Sequence, residues 1–75
     1  MKIFYKCKLK VIKSDFLNYS SVTIFSKDTI YEAIDEDDKD TLLQSDVGDY
    51  EVIPKMKMRR HFRRVNIMPE FSSNN

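Results

Sequence analysis

Between Ile3 and Ile12 the side chains alternate with a period of two, and no other segment restricts the fold as strongly. Ile3, Tyr5, Cys7, Leu9 and Val11 fall on one side, and Phe4, Lys6, Lys8, Lys10 and Ile12 on the other. Successive side chains of a strand point to opposite faces, so the pattern predicts a β-strand with one face buried and one wet. A lysine at every second position also breaks the continuous apolar run that a signal peptide or membrane span requires. The expectation is a cytoplasmic protein without membrane association.

Size decides how such a strand is covered. A chain of 75 residues is expected to form one domain, 1–69, ending in a tail, 70–75, that frays. A fold this small buries only roughly 60–65% of the surface its unfolded chain exposes, so the core must be compact. Apolar residues at 41% and aromatics at 12% suffice for one core. Cys7 is the one cysteine, so no internal disulfide is possible, stability rests on packing, and a reducing compartment is implied.

Beyond the first strand the pattern is shorter-ranged. Residues 14–27 mix turn formers with Phe16, Leu17, Tyr19, Val22, Ile24 and Phe25, which is too irregular for a helix and too apolar for a free loop. They read as a long loop packed on the core, with a short strand at Val22–Phe25. "TIYEAID", residues 29–35, follows as a second strand. Ile30, Ala33 and Ile34 also fit helical spacing after a cap at Asp28, but Asp37, Asp38 and Thr41 stand where a helix needs apolar residues, which favours the strand. "DTLLQSDVGDYEVIP" predicts a hairpin with strands at Thr41–Ser45 and Tyr50–Ile53, turned at Gly48, the one glycine. Pro54 closes it. Met58, Phe62 and Val65 at i, i+4 and i+7 predict a helical turn, and Val65 with Ile67 a last short strand before Pro69.

This order, with the runs "SVTIFSKDTIYEAIDEDD", "DVGDYEVIP" and "HFRRV", resembles the small Src-homology-3-like (SH3-like) proteins of Gram-positive bacteria and their phages. The resemblance covers roughly residues 3–67 and departs from the family pattern at Asp28, where a glycine is common in the turn before the second strand. It implies a mainly β fold, a bent five-stranded SH3-like barrel with one helical turn before the last strand, with a small α+β fold as the alternative. It also implies a binding role in a phage or prophage setting, and it carries no catalytic residues.

Charge is distributed in three blocks: +3 over residues 1–34, −7 over 35–53 and +5 over 54–75. The acidic block centres on Asp35, Glu36, Asp37, Asp38 and Asp40, and the basic block on Lys55, Lys57, Arg59, Arg60, Arg63 and Arg64. Calcium is not expected. Asp35, Asp37 and Asp46 fit the first, third and twelfth places of a calcium loop, but Lys39 holds the fifth, Asp40 replaces the glycine at the sixth, and the bidentate Glu is missing. The acidic cluster is left as a solvated turn, a partner for the chain's own or a neighbour's basic segment, or a surface offered to a basic partner.

Catalytic parts are scarce. Cys7 lies on the apolar side of its strand and reads as a buried thiol, His61 sits among four arginines as a surface or interface residue, and one glycine cannot build a phosphate-cradling loop. Neither an enzyme nor a cofactor or metal is expected. Small size, missing catalytic parts and polarised charge favour a non-catalytic module that binds a protein through its charged patches, and the resemblance implies that it binds and modulates a host protein. A nucleic-acid-binding module using the basic segment 55–64 is the alternative. A monomer or a weak homodimer is expected, because a two-fold axis can set acidic turn against basic segment, yet exposed ion pairs contribute only about 0–1 kcal/mol each.

Overall fold

A computed structural model describes residues 2–66. They form a mainly β structure with one short helix: β1 (Phe4–Cys7), β2 (Val11–Asp15), β3 (Ser20–Phe25), β4 (Ile30–Glu32), β5 (Asp35–Glu36), β6 (Asp40–Gln44), β7 (Tyr50–Pro54), α1 (Lys55–His61) and β8 (Phe62–Val65). The ladders make three antiparallel sheets, ordered β4-β1-β8, β2-β3 and β5-β6-β7, and these are not closed into a barrel.

The long alternating stretch is two strands, not one. Tyr5 and Cys7 face the core from β1 and Val11 is buried at the start of β2, but Leu9 between them is 50% exposed. The chain bends there because its polar groups find partners across the turn. Lys8 and Leu9 both donate their amides to the His61 carbonyl, at 2.8 and 3.2 Å, and the Leu9 carbonyl accepts from the Cys7 thiol at 3.3 Å and from the His61 ring at 2.9 Å. The short strand expected at Val22–Phe25 falls within β3, but the rest of residues 14–27 departs from the expected packed loop. Most of them extend β2 and form β3, a hairpin whose register slips between Val11↔Phe25 and Ile12↔Thr23. The slip leaves Ile24 as the extra residue, so consecutive Ile24 and Phe25 are both buried, as a bulge allows.

Residues 30–36 change partners partway. Ile30–Glu32 pair with β1, the Ala33 amide bonds the Ile3 carbonyl at 2.8 Å, and the Ile34 amide bonds the Leu42 carbonyl at 2.9 Å, delivering Asp35 and Glu36 to β6. Asp28, in the turn before, has φ 69°, a left-handed conformation that aspartate tolerates better than most residues. The hairpin β6–β7 turns at Gly48 with φ 95° as expected. Pro54 ends β7 and leads directly into α1, where Met58 alone is buried. Phe62 is not helical; it has φ −131° and begins β8. Ile67, Pro69 and the tail lie outside the described residues.

The core gathers Cys7, Val11, Ile24, Phe25, Leu43, Ile53, Met58 and Phe62, with Tyr5, Tyr31 and Ala33 packed against it. At its centre the rings of Phe25, Tyr31 and Phe62 meet edge to face, at centroid separations of 5.0, 5.4 and 6.1 Å. Such pairs add about 0.5–1.5 kcal/mol each beyond burial. Phe25→Ala is therefore expected to cost about 3–5 kcal/mol, a large share of the roughly 5–10 kcal/mol available to a domain this small. Urea denaturation checks it: a midpoint shift worth under about 1 kcal/mol places the cohesion elsewhere.

Candidate functional site

The acidic and basic blocks meet inside the molecule. The Glu36 carboxylate, half-buried at the end of β5, accepts from Lys55 Nζ, from the Tyr5 hydroxyl and, at 2.9 Å, from Thr41 Oγ1. Lys55 Nζ also donates to Thr41 Oγ1 at 3.1 Å. Burial pushes the Glu36 pKa up, but the hydrogen bonds from Lys55, Tyr5 and Thr41 outweigh it and hold the carboxyl below its ordinary value. The Tyr5 hydroxyl moves the other way, raised by burial and then by its bond to Glu36, with Arg64 nearby pulling it back.

Glu36 and Lys55 are thereby removed from the two surface patches. Asp37 is a structural residue as well, for its Oδ1 accepts the Lys39 and Asp40 amides, both at 2.8 Å, and builds the turn. Asp35 accepts the Glu36 amide at 2.9 Å, and Asp40 is half-buried in β6. Asp38 is exposed. Asp46 sits elsewhere: it accepts from Ser26 Oγ at 2.6 Å and from the Tyr31 hydroxyl at 2.7 Å. Burial and then this bond to Asp46 push Tyr31 up to about 12.

The basic residues divide between two faces. Lys57, Arg59 and Arg60 are exposed on α1. Arg63 lies opposite Lys6 and Arg64 opposite Tyr5, so the two adjacent arginines of β8 occupy opposite sides of the sheet. Cys7 and His61 are both engaged in structural contacts. The Cys7 thiol is buried and pushed up by that burial, and His61 donates Nδ1–H to the same Leu9 carbonyl that takes the thiol.

The most conspicuous surface was not legible in charge or periodicity. The tip of the β2–β3 hairpin carries Phe16, Leu17 and Tyr19 at 86%, 92% and 97% exposure. Asp15 builds this tip, accepting the Leu17 amide at 3.1 Å and the Asn18 side-chain amide at 2.6 Å, and these bonds lower its pKa. Tyr19 closes the turn at φ 49°, left-handed geometry that costs a tyrosine about 1–2 kcal/mol. Beside the tip an apolar groove runs past Phe16, Leu17, Val22 and Ile24 to Val47 in the β6–β7 turn, with Asp49 among its walls. An ion pair from Lys13 to Glu51 at 3.4 Å links hairpin and β7 alongside it.

Known protein families, characterised proteins and solved structures offer no match to this chain. No helix among the described residues is long and apolar enough to cross a membrane.

Glu36→Gln is expected to destabilise the fold by roughly 2 kcal/mol, since it leaves the Lys55 ammonium facing a neutral group in a half-buried site. The sign with pH follows from the lowered carboxyl. Its contribution is complete above the ordinary carboxylate pKa and disappears as pH falls through the depressed folded value. Thermal melts from pH 7 down to pH 2 should show a shallower acid loss for Glu36→Gln than for the wild type; parallel curves would refute the assignment.

Proposed function

We propose that the protein is a non-catalytic interaction module of SH3-like descent that binds another protein through the β2–β3 hairpin tip and the groove beside it. The observation that carries this reading is the tip itself. Three large apolar side chains stand 86–97% exposed on a turn whose geometry is held by Asp15 and closed by a strained Tyr19. A free loop would gain nothing from that strain, whereas a recognition loop gains preorganisation. Burying each of these side chains against a partner is worth about 1.5–3 kcal/mol, and aromatic anchors of this kind dominate many interfaces.

The SH3-like kinship is supported by connectivity. The first strand pairs with both β4 and the last strand β8, residues 30–36 pass from one sheet to the next, and a short helix precedes β8. The charged patches expected to bind the partner act in this reading as steering surfaces, and Asp49 offers a carboxylate among the walls of the groove. In the setting implied by the resemblance, the partner is a protein of the bacterial host, and the groove suits a segment that pairs an apolar side chain with a cation.

The test is retention of host proteins on immobilised full-length protein at 150 and 500 mM salt. One stoichiometric partner held at both salts by the wild type, and weakened at least about 100-fold in Phe16→Ser/Leu17→Ser, is the expected result. Equal retention by wild type and double variant, or a complex dispersed by salt alone, would exclude the tip as the anchor.

A further inference from the structure

The outer face of the β4-β1-β8 sheet brings together residues that the chain keeps far apart. Across the three strands Glu32, Phe4 and Val65 form one row, and Ile30, Lys6 and Arg63 the next, all on the side away from Cys7 and Phe62. Every one of these six positions is exposed or half-exposed. Lys6 and Arg63 are directly opposite, a like-charge pair that works against the sheet, and neither has an ion pair among the described residues. Phe4 neighbours Lys6 on the same strand face. The cationic strip continues past the end of β1. The Lys8 amide bonds the His61 carbonyl at 2.8 Å, which sets exposed Lys8 and Lys10 beside the last turn of α1, where Arg59 and Arg60 are exposed.

We propose that this sheet face binds single-stranded nucleic acid, with Phe4 as a stacking platform and Lys6 and Arg63, paired in the adjacent row, neutralising phosphates beside it. The site is distinct from the hairpin tip, so it stands or falls independently of the protein-binding reading. Charge alone would suit an acidic protein as well. A part-exposed aromatic ring in the central strand, next to paired cations, favours unstacked bases, because every base offers a π-face and every phosphate a charge. The acidic block does not oppose it here: Glu36 is neutralised by Lys55, the other acids of residues 35–53 lie on the β5-β6-β7 sheet and its turns, and among the described residues Glu32 is the one carboxylate on this face. Phosphates held at Lys6 and at Arg63 would also relieve the repulsion between the two cations.

Fluorescence anisotropy of the full chain with labelled oligothymidylate and oligouridylate tests this, and comparing the two distinguishes DNA from RNA. Phe4→Leu, which keeps the apolar packing and loses the ring, should weaken binding about tenfold. Lys6→Gln/Arg63→Gln should flatten the plot of log affinity against log salt by about 1.4, near 0.7 per phosphate contact, while Arg64→Gln on the opposite face leaves the slope close to wild type. If Phe4→Leu fails to fold, the substitutions at half-exposed Lys6 and exposed Arg63 still decide the matter. Three results would overturn the proposal: no binding to either probe at 50 mM salt; duplex bound as tightly as single strands with Phe4→Leu without effect, which is adsorption by charge; or polyglutamate displacing the oligonucleotides at equal charge, which marks an acidic-protein surface.

Discussion

Three aromatic rings hold this small fold together, and the positions of both candidate surfaces follow from them. Phe25 comes from β3, Tyr31 from β4 and Phe62 from β8, so their edge-to-face cluster joins the hairpin to the β4-β1-β8 sheet. The Tyr31 hydroxyl extends the joint to the third sheet. It accepts the Ser26 amide at 2.8 Å and donates to Asp46 at 2.7 Å, while the Asp46 amide bonds the Ile24 carbonyl at 2.8 Å. With no disulfide available, this contact between apolar rings and a satisfied polar corner does what a covalent link does in many domains of this size. The hairpin tip projects from one side of the cluster, and the outer sheet face lies behind it.

Much of the fold could be read from local chemistry. Gly48 marked its hairpin because only a positive φ closes that turn, and Pro54 marked the end of β7 because it has no amide to donate. Residues 29–35 were read as a strand because acids and Thr41 occupied the positions where a helix would bury apolar groups, and they are two short strands, Ile30–Glu32 and Asp35–Glu36, broken at Ala33–Ile34. The failures share one cause: period-two alternation reports which side a residue faces and is blind to where the chain bends. Leu9 keeps the alternation and is half exposed, because the bend around it is set by contacts with His61, some fifty residues away. The bulge that buries Ile24 and Phe25 together breaks the alternation of β3 in the same way, so the expected strand was confined to Val22–Phe25 and its start at Ser20 and pairing with β2 went unread.

The candidate sites were less legible, for a different reason. Clusters of charge stand out in a sequence, whereas exposure does not. Phe16, Leu17 and Tyr19 look like core residues by type, and only the turn built by Asp15 places them in solvent. That the acidic cluster pairs with the chain's own basic segment was among the sequence expectations, and Glu36 with Lys55 does so, supported by Tyr5 and Thr41. The separation of Arg63 from Arg64 needed the register of β8 against β1, which composition cannot supply.

The claim on which the rest depends is that the aromatic joint makes three sheets into one cooperative body, from which a preorganised tip stands out. Native-state hydrogen exchange measures this residue by residue. Ladder amides of β2 and β3 beside Val11 and Phe25 should open with the same free energy as those of β1 and β6, while amides at the 16–19 turn exchange far faster. A β2–β3 hairpin that opens as a whole at a distinctly lower free energy than the other two sheets would contradict the account, for the rings would then be in contact without holding the sheets together.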